Sequence, residues 1–70
     1  MFNVVLEVLS LIDQSVKVLW LDQTMIFTFP ERSRAGLFSE DEADQCRRMW
    51  SDTRVIVRAV PVDVNYLPSK

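Results

Sequence analysis

The chain has 70 residues, of which 49% are hydrophobic and 26% charged, with a formal net charge of −2 and a single cysteine. A chain of this length forms at most one domain and buries only about 60% of the surface that its unfolded form exposes. An intrachain disulfide is excluded because Cys46 has no partner, and without histidine we predict neither a metal centre nor a cofactor. Association with another chain is the remaining source of stability.

The first twelve residues do not have the pattern of a targeting segment. Residues 2–12 are apolar, but no basic region precedes them, no small-residue cleavage site follows them, and Glu7 interrupts them. No apolar run approaches the roughly 18 residues that span a bilayer. With a single cysteine, we expect a cytoplasmic protein that does not insert into membranes.

Residues 2–12 are interpreted as the first strand, because valine, isoleucine and phenylalanine favour extended structure. A helix is the alternative. Asn3, Glu7, Ser10 and Gln14 are spaced four, three and four residues apart, which would align them along one side of a helix. The strand is preferred because of the valines and because Asp-Gln-Ser, a turn-forming sequence, follows.

A short phrase occurs twice in this region: LIDQSV begins at Leu11, and WLDQTM begins nine positions later at Trp20. We interpret residues 13–15 and 22–24 as three-residue loops, in which the aspartate accepts hydrogen bonds from the backbone two residues on. The first loop leads into a second strand, 16–21, and the second loop separates that strand from a third, 25–29. The repeat then represents one turn used twice in a β-meander.

The clearest helix signal follows the loop at 30–38. Ser39 is the predicted N-cap and Glu42, three residues later, completes a capping box, with Phe38 and Ala43 spaced as a hydrophobic staple. Acidic residues crowd the first turn and arginines the last, as the helix dipole favours. The predicted apolar stripe consists of Ala43, Cys46, Met49 and Trp50.

A fourth strand is predicted at 54–59, with Val55, Val57 and Ala59 on one face, and Pro61 places it at a sheet edge or at a bulge. The fold class is therefore α+β: a small antiparallel sheet with one helix, in the order β-β-β-α-β. We expect a single domain over residues 1–66 and a flexible tail over 67–70.

The two faces of the predicted sheet are both apolar. The face under the helix is expected to collect Phe2, Val4, Leu6, Val8, Val16, Val18, Trp20, Met25, Phe27 and Phe29. The opposite face would hold Val5, Leu9, Leu11, Leu19, Leu21 and Ile26, relieved by Asn3, Glu7, Lys17 and Thr28. One helix of about eleven residues, roughly 16 Å long, cannot cover both faces. The second face therefore needs a partner, unless the strands curl into a partial barrel.

Enzymatic chemistry is not expected. The chain lacks histidine, the usual acid–base group near neutral pH. Cys46 lies on the apolar stripe, where a buried structural thiol is favoured over a nucleophile. The acidic residues at 40–44 are explained by capping and by the helix dipole rather than by metal binding.

The leading functional hypothesis is a non-catalytic protein-interaction module, a homodimeric regulator or inhibitor that docks an apolar sheet face onto itself or onto a heterologous protein. The predicted partner-binding residues are Leu19, Leu21, Trp20, Ile26, Arg32 and Arg34. Whether Trp20 faces the core or the partner depends on strand register. The alternative is a small nucleic-acid-binding protein that uses Arg32, Arg34, Arg54 and Arg58. The acidic pI of about 4.9 weighs against it.

Overall fold

A computed structural model describes residues 1–62, and its single helix and antiparallel sheet confirm the α+β class and the β-β-β-α-β order. The elements are β1 (Phe2–Leu9), β2 (Val16–Leu21), β3 (Thr28–Phe29), a 3-10 turn (Arg32–Arg34), α1 (Glu40–Trp50) and β4 (Val55–Pro61). The end of the predicted domain, 63–66, and the predicted tail, 67–70, lie outside the described residues.

The first segment is a strand, and the helical alternative is wrong. β1 occupies the centre of the sheet, whose strand order is β3-β2-β1-β4. Val4, Val5 and Leu6 are all buried, so both faces of this strand are covered at its start. A strand buried on both faces gives a continuous apolar run instead of alternation, which is why the sequence pattern was ambiguous.

The sheet is open, so the partial-barrel alternative is also wrong. β3 and β4 form its two opposite edges and do not pair with each other. The edge position of β4 confirms the reading of Pro61, which lacks the N–H that a central strand would need. Val55, Val57 and Ala59 pack from β4 against the buried core, as predicted.

The two copies of Asp-Gln-hydroxyl are both turns, and in both the aspartate binds the hydroxyl residue two positions on. Asp13 Oδ1 accepts from the Ser15 amide at 3.1 Å and from its hydroxyl at 2.7 Å. Asp22 Oδ1 accepts from the Thr24 hydroxyl at 2.6 Å and from the Phe27 amide at 3.2 Å. The repeated phrase is thus one local hydrogen-bonding solution used twice.

The length of these loops was predicted wrongly. Three-residue loops would pair Ile12 with Val16, whereas the structure pairs Leu9 with Val16 and leaves residues 10–15 as the loop. In the same way, Leu21 pairs with Thr28, so residues 22–27 form the second loop. Because a shift by an odd number of residues exchanges the two faces of a strand, β2 presents the opposite side chains from those expected.

The third strand is shorter than the predicted 25–29. Met25 has a φ of 64°, in the left-handed region that strand residues avoid, and β3 contains only Thr28 and Phe29. Met25 packs against the core instead, and its carbonyl accepts a hydrogen bond from Trp50 Nε1 at 3.2 Å. The second loop is therefore tied to the helix.

Helix α1 begins and ends as the sequence predicted. The Ser39 hydroxyl accepts from the Glu42 amide at 3.2 Å, and the Glu42 carboxylate accepts from the Ser39 amide at 2.8 Å, which completes the capping box. Ala43 and Cys46 are buried against the sheet, with Trp50 packed beside them. Met49 is 58% exposed, so its assignment to the stripe was wrong. At 100° per residue it lies nearly a quarter-turn from that stripe.

Candidate interaction face

The strand pairing fixes which side chains share the sheet face opposite α1, because residues directly opposite each other in neighbouring strands project to the same side. Val5 lies opposite Trp20 and Arg58, and Glu7 lies opposite Val18 and Ile56. Leu9 lies opposite Val16. We call this side the open face; its members are Asn3, Val5, Glu7, Leu9, Val16, Val18, Trp20, Phe29, Ile56, Arg58 and Val60.

One end of the open face is covered by the chain itself. The guanidinium of Arg32 lies 5.0 Å from the centroid of the Trp20 ring, and that of Arg34 lies 4.1 Å from the centroid of Phe29. Arg32 Nε also donates to Asn3 Oδ1 at 3.1 Å. The 3-10 turn that carries both arginines therefore shields the aromatic end of the face from solvent.

Asn3 holds this covering segment in place from beneath. Its side chain is buried, and its amide nitrogen donates to the Gly36 carbonyl at 2.8 Å while its oxygen accepts from Arg32. Both halves of the amide are thus satisfied without water. Replacement by an apolar residue would leave the carbonyl of the buried Gly36 without this hydrogen bond, which is costly.

The segment that follows the 3-10 turn is anchored to the second loop. The Gln23 side chain donates to the Leu37 carbonyl and accepts from the Leu37 amide, each at 2.9 Å. The Gly36 amide donates to the Leu21 carbonyl at 3.0 Å. An added Cβ at Gly36 would lie 2.6 Å from backbone atoms of Gln23, so only glycine fits this close approach.

The other end of the open face is uncovered. Leu9, Val16, Val18 and Ile56 are 42%, 58%, 43% and 61% exposed. We call these four residues the apolar patch. An antiparallel sheet with one solvated face normally carries polar side chains there, so four adjacent aliphatic residues depart from the ordinary pattern.

A single ion pair lies between the covered and the uncovered ends. Arg58 donates to Glu7 Oε2 at 3.3 Å, and Glu7 sits between Val18 and Ile56 in its row. The Arg58 side chain is 59% exposed, so the pair contributes little to stability. The two opposite charges offset each other, so the ion pair adds little net charge to the middle of the face.

A groove of about 280 Å³ opens within the patch, at the end of the sheet where β1 ends and β4 begins. It is lined by Glu7, Leu9, Val16, Thr53, Arg54 and Ile56. Among the described residues, Arg54 has no acidic partner within ion-pair distance. Within the described residues, the groove thus combines apolar walls with the Glu7 carboxylate, which is paired with Arg58, and the unpaired guanidinium of Arg54.

The structure places the predicted partner-binding residues differently from the sequence analysis. Leu21 is fully buried under the helix and Leu19 lies on the same side, half-buried, so neither projects onto the open face. Trp20 lies on the open face but beneath Arg32. Ile26 is 64% exposed, in the β2–β3 loop at the end of the sheet away from the patch.

The four arginines proposed for nucleic-acid binding lie on or beside the open face. Arg32 and Arg34 cover the two aromatic rings, Arg58 pairs with Glu7, and Arg54 lines the groove. The residues that sequence reasoning did not nominate are Val16, Val18 and Ile56. Whether the β1–β2 loop has an odd or an even number of residues decides which side chains of β2 lie on the open face. Knowledge of that number would have placed Val16 and Val18 there.

Cys46 and Asp44, both on α1, have contacts within residues 1–62 that set their chemistry. Burial raises the pKa of the Cys46 thiol, and the nearby Glu42 carboxylate raises it further, so the thiolate nucleophile is disfavoured. Asp44 is occupied by Arg47 and Arg48, each at 2.7 Å, and their hydrogen bonds lower its pKa. The described residues contain no group of three side chains suited to hold a metal ion.

Comparison with protein-family models, with curated proteins and with solved structures found no match to this chain. No helix within residues 1–62 has the length and the apolar character that crossing a membrane requires.

Proposed function

We propose that the protein is a non-catalytic protein-interaction module, which binds another protein surface through the apolar patch of its open face. The observation that carries the proposal is the partial exposure of four adjacent aliphatic side chains, Leu9, Val16, Val18 and Ile56, on a sheet whose other face is the buried core. Contiguous exposed apolar surface on a small domain is typical of an interaction site.

Burial of the patch against a partner would make a favourable contribution to the free energy of binding. Complete burial of an aliphatic side chain stabilises by about 1.5–3 kcal/mol, and these four have roughly half of that burial still to gain. The strand at the centre of the patch, β1, is paired with β2 on one side and with β4 on the other, so docking onto it requires little ordering of the backbone. Thr53 and Arg54 at the groove provide a polar rim.

A regulatory or inhibitory role follows if the module acts by occupying a surface that another protein needs. We further propose that the protein is cytoplasmic, because a single buried, unpaired cysteine suits a reducing compartment. The partner is either a second copy of the chain or a heterologous protein. A second copy requires no additional component, and two-fold dimers are the commonest assemblies.

Nucleic-acid binding remains the second candidate, because Arg32, Arg54 and Arg58 all lie on or beside the open face. The aromatic rings weigh against it. Trp20 and Phe29, the aromatic side chains that residues 1–62 place on this face, already lie beneath Arg32 and Arg34. A stacked base would have to displace both guanidinium groups. If nucleic acid does bind, its affinity should fall steeply with salt.

Site-specific photocrosslinking tests the proposal. A photoreactive phenylalanine analogue replaces Ile56 in the patch and, as a control, Gln45 on the exposed side of α1, in cells that produce the full chain. We expect discrete protein adducts from position 56 that resist nuclease, that mass spectrometry maps to a defined site, and that Val18→Lys removes. Equal labelling from both positions, or adducts unaffected by Val18→Lys, would overturn the proposal.

A further inference from the structure

We propose that the partner of the open face is a second copy of this chain, in a two-fold dimer in which Ile12 of each copy enters the groove of the other. The inference rests on the proposed function and names its partner. It follows from three features at the same end of the sheet: a projecting side chain, a matching groove, and opposite charges beside them.

The projecting side chain is Ile12, which is 97% exposed in the β1–β2 loop. The loop is ordered by its own hydrogen bonds: the Ser10 amide donates to the Ser15 carbonyl at 2.8 Å, and the Gln14 amide donates to the Ser10 carbonyl at 3.0 Å. The Ile12 amide itself donates to Ser10 Oγ at 3.3 Å. Ile12 is therefore a solvent-exposed aliphatic side chain on a hydrogen-bonded loop. Docking it would cost little backbone conformational entropy.

The groove has the size and lining to receive it. Its volume is about 280 Å³, and its apolar walls are Leu9, Val16 and Ile56. Taking each of its four carbons as about the 30 Å³ of a water molecule, an isoleucine side chain occupies roughly 120 Å³. Leu11, which is 63% exposed beside Ile12, can share the remaining space.

Charge complementarity specifies the orientation. Asp13 follows Ile12 directly, and its carboxylate is held at the loop tip by Ser15. Arg54 lines the groove without an acidic partner among the described residues, whereas Glu7, the other charged residue of the lining, is paired with Arg58. When Ile12 enters the partner's groove, Asp13 approaches the partner's Arg54. A two-fold axis makes the same contact twice, because a residue that contacts its counterpart site is contacted in return.

The available area predicts a weak dimer. Leu11 and Ile12 together with the four patch residues expose the equivalent of between three and four whole side chains. That is roughly 200–450 Å² of apolar surface per copy at the usual conversion. A standard interface buries about 800 Å² per partner, of which somewhat over half is apolar. The contact is thus at the lower end, and we expect micromolar rather than nanomolar association.

Sedimentation equilibrium on the full chain tests the inference. The wild type should show a concentration-dependent mass rising from 8.2 kDa towards twice that value. Ile12→Lys should weaken dimerisation by roughly ten- to a hundredfold. Ile26→Lys is the control, since Ile26 is also an exposed isoleucine, at 64%, in the loop that contains the second copy of the turn, and lies at the other end of the sheet; it should leave the mass unchanged. Asp13→Arg and Arg54→Asp should each weaken the dimer, and the double exchange should restore it.

The outcomes separate this inference from the proposed function. A monomeric wild type, or a dimer insensitive to Ile12→Lys, overturns the second-copy arrangement. If heterologous adducts still form from position 56, or if Ile56→Lys dissociates the dimer, the open face remains an interaction site with another partner or another arrangement. If neither holds, both proposals are wrong. Failure of the double exchange to restore the dimer overturns the Asp13–Arg54 contact and with it the proposed orientation.

Discussion

Arg32 contacts Trp20 and Asn3 at once: its guanidinium lies 5.0 Å from the centroid of the indole ring, and its Nε donates to the asparagine oxygen at 3.1 Å. The three residues lie far apart in sequence, yet together they close one end of the open face. A partner that contacted the Trp20 ring would have to displace Arg32. We therefore propose the other end of the sheet, which carries Leu9, Val16, Val18 and Ile56, as the docking site.

The reversed facing of β2 predicts a difference between two leucines. Leu21→Ala should lower the free energy of unfolding by about 2–5 kcal/mol, because Leu21 is fully buried in the core. Leu11→Ala, the matched control at a position 63% exposed, should change it by less than about 0.5 kcal/mol. Urea unfolding followed by circular dichroism measures both. Equal effects would contradict the strand register.

The close approach of two loops predicts that Gly36 cannot be replaced. A Cβ at this position would lie 2.6 Å from the Gln23 Cα and backbone nitrogen, atoms that cannot move aside as a flexible side chain can. We expect Gly36→Ala to destabilise the fold by about 1–3 kcal/mol. Thermal unfolding provides the measurement. A melting temperature equal to that of the wild type would mean that the two loops are further apart than described.

The capping box predicts a measurable loss on removal of one hydroxyl. Ser39→Ala deletes the acceptor for the Glu42 amide and should cost about 1 kcal/mol of unfolding free energy. Glu42→Gln keeps an acceptor for the Ser39 amide and should cost less. Ser33→Ala in the exposed 3-10 turn serves as the control. A Ser39→Ala variant as stable as this control would contradict the prediction.

The burial of Cys46 predicts a slow thiol reaction. Its side chain is wholly inaccessible, and burial raises its pKa, so both access and thiolate fraction are reduced. An aromatic disulfide reagent should label the native protein far more slowly than the protein in denaturing urea. Labelling at the same rate in both conditions would show that α1 detaches readily from the sheet.

The two turn aspartates predict loss of stability in acid. The Ser15 hydroxyl lowers the pKa of Asp13, and the Thr24 hydroxyl lowers that of Asp22, each from an ordinary value of 3.8. Because the folded pKa values are the lower ones, the unfolded chain binds protons first. This part of the stability is complete above the unfolded pKa and is lost as the pH falls through the folded values.

Asparagine substitutions isolate that effect. Asp13→Asn combined with Asp22→Asn removes both titrations while a side-chain oxygen remains as acceptor in each turn. Chemical unfolding between pH 2 and about pH 6 should show a shallower decline in the double variant than in the wild type. Identical slopes would mean that the turns contribute nothing to the pH dependence.

Local chemistry made part of the fold predictable from the sequence. The bounds of α1, its capping box, and the two Asp-Gln-hydroxyl turns all depend on hydrogen bonds between residues within a few positions of each other. The alternation in β4 and the edge position signalled by Pro61 are local as well. Each of these features was written in a short stretch of residues.

Long-range contacts decided the rest. Each turn sequence identified a reversal but not the number of residues excluded from pairing, and six-residue loops in place of three exchanged the faces of β2. Leu21 thereby entered the core, while Val16 and Val18 reached the open face. The cover over Trp20 depends on a bond between Arg32 and Asn3, residues 29 positions apart. Local sequence determined where the chain turns; packing across the whole sheet determined which side chains a partner can reach.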